Sequence, residues 1–297
     1  MAGIPETQLQ TWSNQGSIVQ SQDTFDSIKK CLDDSESGYA SESTENYLQG
    51  SFGNDTNIYA DSDVDVVQVL RSTFYRDLSS LDEQQRRAYN EHYSDATYGY
   101  LEFKRDVAAQ LRKCYGSNVK IGNKAIFVPG HGSRRDADVV PAVQYRKYYG
   151  FEGALNQRYA EGIVFWASDG TKIVNYPKLH QGNCASKNAS TTQRFKPNVR
   201  VFKNLRNAMV RDGYLTKGTA PSYFVEGALY NVPNHLFSYS HRETVWNALE
   251  WWNSCQRSDL VCANEMHILL HPTSPVTWRR EQFDNFINCA KKYWNDY

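Results

Sequence analysis

The stretch Gln49-Gly50-Ser51-Phe52, followed by Ile58-Tyr59 and then Ser62-Asp63-Val64-Asp65-Val66-Val67, decides how this chain of 297 residues is read. A Gly-Ser pair at a turn stands twelve residues ahead of two aspartates in an apolar, strand-like run. Residues i and i+2 of a strand point to one face, so Asp63 and Asp65 present two carboxylates side by side. At about 5 Å and an effective dielectric near 20, two such charges repel by roughly 3 kcal/mol. A hard divalent cation offsets that repulsion, and Mg²⁺ held by a few carboxylates and substrate phosphates fits best. Glycine lets backbone N–H groups approach a phosphate, and the serine adds a hydroxyl donor.

A third carboxylate lies in Asp136-Ala137-Asp138-Val139-Val140-Pro141-Ala142, again on a strand-like run. Three carboxylates around two metals suit in-line nucleotidyl transfer, with one metal at the attacking hydroxyl and the other at the leaving pyrophosphate. Two solvated aspartates at a strand end are the plain alternative for Asp-x-Asp alone. Gly-Ser at this distance and the second apolar Asp run argue against it. Together the three elements resemble the DNA polymerase β-like nucleotidyltransferase superfamily.

Composition bounds the rest. The length allows about two compact domains. No apolar run approaches the roughly 18 residues of a transmembrane helix, and Met1–Gln20 is polar with no signal core, so a cytoplasmic protein off the membrane is expected. Cys31, Cys114, Cys184, Cys255, Cys262 and Cys289 lack framework spacing and read as reduced thiols. Lys and Arg total 33 against 33 Asp and Glu, whereas a protein that grips long nucleic acid carries a basic excess. Small nucleotides are the better substrates for a neutral chain.

Along the chain, Phe25, Ile28 and Leu32 predict a helix over 24–32, and the polar segment 33–46 reads as loop. Strands are expected at 62–70, 124–128, 136–144 and 161–175, the last turning at Ser168-Asp169-Gly170. The pattern over 82–113 is helical, as it is over 194–209, 223–230, 243–254 and 280–294. The expected fold is α+β: a nucleotidyltransferase core of mixed sheet and flanking helices over 1–190, then a helical C-terminal lobe over 191–297. In 195–211, Phe195, Val199, Phe202, Leu205 and Met209 form one stripe, with Lys196, Arg200, Lys203, Asn207 and Arg211 largely opposite. Those cations are either solvated or aimed at a triphosphate.

Beyond the superfamily, nearly the whole chain resembles the bacterial cGAS/DncV-like nucleotidyltransferases, makers of cyclic oligonucleotide signals in antiphage defence. The resemblance is carried by Trp12–Ser17, Tyr47–Thr56, Ser62–Val67 and Ala137–Ala142. Further on it continues through Tyr176-Pro177-Lys178-Leu179-His180, Arg200–Lys203 and Pro221-Ser222-Tyr223-Phe224-Val225-Glu226. It implies that Asp63, Asp65 and Asp138 hold two Mg²⁺ ions, with Mn²⁺ able to substitute, and that Asp138 helps deprotonate the attacking hydroxyl. It implies that Gly50 and Ser51 hold the donor triphosphate, that Lys203 and Ser222 touch phosphates, and that Tyr223 stacks on a base. The plain alternatives are a core aromatic beside Phe224 for Tyr223 and a helix N-cap after Pro221 for Ser222.

The activity implied is template-independent synthesis of a cyclic di- or trinucleotide from NTPs, by a monomer that works with partner proteins of a signalling operon. A transferase acting on an RNA end, a protein or a small molecule is the alternative. Cys255, Cys262, His267 and His271 match no familiar zinc-finger spacing, and buried cysteines beside a core histidine are the commoner arrangement.

Overall fold

The computed structural model describes residues 3–59 and 63–297. In chain order its elements are α1 (Glu6–Ser13), α2 (Val19–Leu32), β1 (Thr44–Leu48), the single turn α3 (Gly50–Gly53) and β2 (Val64–Asp77). Next come α4 (Glu83–His92), α5 (Tyr100–Tyr115), β3 (Lys120–Ile121), β4 (Ile126–Val128), β5 (Ala137–Phe151), β6 (Gln157–Trp166) and β7 (Lys172–Asn175). The last are α6 (Pro177–Ser190), α7 (Phe195–Arg211), α8 (Ser222–Asn231), α9 (His241–Ser254) and α10 (Arg280–Asp296). Among the described residues no helix is long and apolar enough to cross a membrane.

Two compact units result, neither contiguous in sequence. One comprises Ile18–Gln49 and Ser62–Pro177, the other Met1–Ser17, Gly50–Asp61 and Lys178–Tyr297. This differs from a single cut after residue 190, because hydrogen bonds tie the early segments to the helical unit. Arg200 Nε donates to Ser13 O at 2.5 Å, and Arg200 Nη1 donates to Asp55 O at 2.7 Å.

The sheet unit is built on β2 and β5, which run parallel while their other neighbours are antiparallel, giving a mixed sheet. Val64, Val66, Val67, Val69 and Leu70 are all buried, as expected of a central strand covered on both faces. The long β5 pairs with β4 through its first residues and with β6 further along, and β7 closes the edge beyond β6. Phe103, Val107 and Leu111 recur every four residues on α5 and are buried. The strand expected from residue 62 begins at Val64, Ser62 lying outside the described residues. The helix expected over 82–113 is two helices, interrupted where Tyr93 turns extended and Gly99 opens α5. Part of the expected 33–46 loop is β1, whose polar composition hid it; backbone pairing with β2 makes it a strand.

The cysteine expectation also needs correction. Cys31 on α2 and Cys114 on α5 form a disulfide with Cα atoms 6.2 Å apart, and the other four cysteines are free. The two lie 83 residues apart in sequence, so only the helix packing could reveal their proximity.

The helical unit packs α7, α8, α9 and α10 around Phe202, Trp252, Trp278, Phe283 and Phe286. Its α1 is fastened by Glu6, whose carboxylate accepts from the amides of His241 and Arg242 at the start of α9, each at 2.8 Å. A carboxylate at a helix N-terminus satisfies orphan amides and meets the positive end of the dipole. The α6 helix escapes sequence pattern because Gln181-Gly182-Asn183 dilutes its apolar face; Pro177 starts it, and His180 and Cys184 are buried in it.

Candidate active site

In the sheet unit, parallel pairing sets Asp65 of β2 directly opposite Asp138 of β5. Neighbouring strands lie about 4.8 Å apart, so register partners project from the same face as close neighbours. Asp63 is exposed, two residues before Asp65. Burial raises the Asp138 pKa above the usual carboxylate range, and the negative charges of Asp63 and Asp136 push it further. Burial and neighbouring like charge both disfavour the ionised carboxylate, and a cation held there would offset both. An all-oxygen donor set of this kind fits a hard divalent ion.

Two residues before Asp138, Asp136 accepts at Oδ1 from Gly130 N at 2.6 Å, holding the loop before β5, while Arg134 Nη2 donates to Pro129 O at 2.6 Å. The Arg134 guanidinium stacks on the ring of Tyr115, 4.5 Å from its centroid. The amide of Gln49, the residue just before the Gly-Ser pair, donates to Asp65 O at 2.9 Å.

The remaining expected site residues belong to the helical unit. Gly50 has φ +66°, a left-handed conformation open to glycine at no steric cost. Thr56 N donates to Ser51 O at 2.9 Å, and Asn54 N donates to Gly50 O at 3.1 Å, closing the segment into a tight turn. Lys203 does not lie on a solvated helix side. It is 0% exposed, and its Nζ donates to Thr56 O at 3.0 Å. The physical reason is that α7 is buried around most of its circumference, Asn198, Val201 and Lys203 included, so the wheel's polar side does not mark solvent.

Ser222 is the first residue of α8, not its N-cap, and its Oγ accepts from Arg206 Nη1 at 3.1 Å. The half-buried Tyr223 ring stacks on His180 with centroids 4.8 Å apart, and its hydroxyl accepts from Asn264 Nδ2 at 3.0 Å. The cysteines and histidines of 255–271 find local partners. Cys262 N donates to His267 O at 2.8 Å, and His271 Nδ1 accepts from Ser274 N at 3.1 Å.

A cluster that sequence reasoning did not assign surrounds Glu226. It is 2% exposed, and its Oε2 accepts from His180 Nε2 at 2.8 Å and from Asn54 Nδ2 at 2.9 Å. Its Oε1 accepts from Thr56 Oγ1. Burial works to raise the Glu226 pKa, but the His180 and Thr56 hydrogen bonds and the Lys203 charge outweigh it and lower the value. The signal available in sequence was a single carboxylate in the apolar run Tyr223-Phe224-Val225-Glu226-Gly227-Ala228-Leu229.

Comparison with known proteins bears on both units. The family model of the cGAS/DncV-like nucleotidyltransferase C-terminal helical domain matches residues 182–295. The chain is 36% identical over 301 residues to the cyclic nucleotide synthase CdnE01 of Staphylococcus haemolyticus, covering 99% of each chain. To the cyclic UMP-AMP synthase of Rhodothermus marinus it is 36% identical over 293 residues, 98% of each. The solved structure of that organism's CdnE c-UMP-AMP synthase with Apcpp and Upnpp superposes with a TM-score of 0.89 at 36% identity. That match covers 99% of this chain and 97% of the other. The Elizabethkingia meningoseptica CdnE cyclic dinucleotide synthase with GTP and Apcpp gives a TM-score of 0.77 at 27% identity, covering 98% of both.

Proposed function

This chain belongs to the cGAS/DncV-like nucleotidyltransferases, metal-dependent enzymes that make cyclic oligonucleotides from NTPs, and we propose that it closes a cyclic di- or trinucleotide signal for antiphage defence. The observation that carries this reading is the in-register pairing of Asp65 with Asp138, whose carboxyl also feels the negative charge of Asp63.

Asp63, Asp65 and Asp138 would hold two Mg²⁺ ions. Bound there, the ions would neutralise charge on the reacting phosphate and acidify the attacking hydroxyl. Asp138, on the same acidic face, accepts the proton of that hydroxyl. Gly50 offers an amide and Ser51 a hydroxyl to the donor triphosphate, and Ser222 and Tyr223 serve the nucleotides from α8. Lys203 supports the phosphate-holding turn from behind through Thr56. Catalysis then rests mainly on positioning and fixed electrostatics.

The test is purified protein with four NTPs and Mg²⁺ or Mn²⁺, followed by phosphatase and mass spectrometry. A phosphatase-resistant cyclic product is expected. Nucleotide attached to added RNA, to protein or to a small molecule, without a cyclic product, overturns the reading in favour of a terminal transferase.

A further inference from the structure

Three motif residues quoted from the sequence have no part in the chemistry above: Asn54, His180 and Glu226. In the helical unit they meet. Since a carboxylate only accepts, His180 donates to Glu226 from a protonated Nε2. Glu226 grips Asn54 and Thr56 by their side chains, and both of those residues bond the Gly-Ser pair by their backbone amides. The carboxylate is thus two hydrogen bonds from Gly50 O by one route and from Ser51 O by another. Other helical residues complete the hold on this segment. Gln181 Nε2 donates to Gly53 O at 2.5 Å, Arg200 Nη1 to Asp55 O at 2.7 Å, and Lys203 Nζ to Thr56 O at 3.0 Å. Asp55 itself has φ +56°, a backbone state that persists in a non-glycine residue only when its surroundings impose it.

We propose that Glu226 is a positioning residue, a buried bracket with His180 that holds the Gly50-Ser51 turn in the shape that receives a triphosphate. The bonds it accepts are charge-assisted if the carboxylate is ionised, and therefore stiffer than those an amide would accept. Its buried setting keeps solvent from competing for the same donors. The inference rests on the proposed reading of Gly50 and Ser51 as triphosphate ligands.

The experiment uses the full-length enzyme with Mg²⁺. It measures the Kd of a non-hydrolysable analogue of the accepted NTP, together with KM and kcat for pyrophosphate release. Thr56→Val removes the hydroxyl at constant shape and should raise Kd and KM about tenfold, with kcat much less affected. Glu226→Gln should do the same, and Thr56→Ser should stay close to the parent. A purely structural role would lower the melting temperature and leave Kd and KM unmoved. That result in Thr56→Val and Glu226→Gln, beside a weakened Ser51→Ala, overturns the bracket while sparing the triphosphate reading. An unweakened Ser51→Ala overturns the triphosphate reading and the bracket with it. His180, Cys184 and Glu226 also place ligand atoms within 4.8 Å of one another. One equivalent of bound transition metal in the purified protein, lost in Cys184→Ala, would make them ligands and overturn the proposal.

Discussion

Replacing Lys203 with methionine removes a charge from the interior of the helical unit while keeping most of the side-chain volume. Two of the interactions lost are visible in the structure. Thr56 O loses its donor at 3.0 Å, and the buried Glu226 loses the cation whose charge helps keep it ionised. Removing one partner from a buried charge cluster costs about 3–5 kcal/mol, because the partner left behind is uncompensated. A solvated lysine, as the helical wheel suggested, would cost within roughly 0.5 kcal/mol. The assay is urea unfolding followed by tryptophan fluorescence, which samples Trp252 and Trp278 in the core of the same unit. The expected loss lowers the midpoint by about 1–2.5 M if the slope stays near 2–3 kcal/mol/M. Combining Lys203→Met with Glu226→Gln should recover part of the loss, with a coupling of about 1–3 kcal/mol. A Lys203→Met loss below about 1 kcal/mol, or strict additivity in the double variant, would falsify the charge-compensation argument.

Asp138→Asn should reduce turnover by orders of magnitude, while Asp136→Asn, which can still accept from Gly130 N, should stay within several-fold; the reverse ranking would place the third carboxylate two residues earlier. Mg²⁺ and a non-hydrolysable NTP together should raise the melting temperature by more than the sum of their separate shifts, because each supplies ligands for the other; additive shifts would argue against a shared site. Glu6 has a pKa held below the ordinary glutamate value: burial opposes this, but the Arg242 and His241 amides and the Ser240 hydroxyl prevail. Its stabilising effect is therefore present above the unfolded glutamate pKa and fades as pH falls through the lower folded value, so Glu6→Gln should flatten the acid limb of the stability curve. Thiol alkylation under denaturing, non-reducing conditions should label four cysteines, with Cys31 and Cys114 reacting only after reduction; six labels at the start would contradict the disulfide.

The acidic residues stood out as candidates in the sequence because the information is local. Strand periodicity put Asp63 and Asp65 on one expected face, although β2 begins only at Val64; the apolar run after them requires a covered strand, and Asp138 heads a run of the same character. The helices α7, α9 and α10 were legible for the same reason, each carrying its own apolar stripe. What periodicity could not supply was the identity of each element's neighbours. Parallel register puts Asp65 opposite Asp138, a separation of 73 positions along the chain. Packing of α2 on α5 joins Cys31 to Cys114, though neither carries a pairing signal. The wheel of α7 placed Lys203 on a polar side, either solvated or aimed at a triphosphate, but neighbours cover that side too, and the solvated reading fails. Glu226 shows the limit most clearly. Alone in an apolar helix it is an expensive charge, and only the tertiary structure brings it His180, Asn54, Thr56 and Lys203. Sequence sets which side chains can do chemistry and which faces must be buried; long-range packing decides which of them meet, because burial and pairing are properties of the partners as much as of the residue.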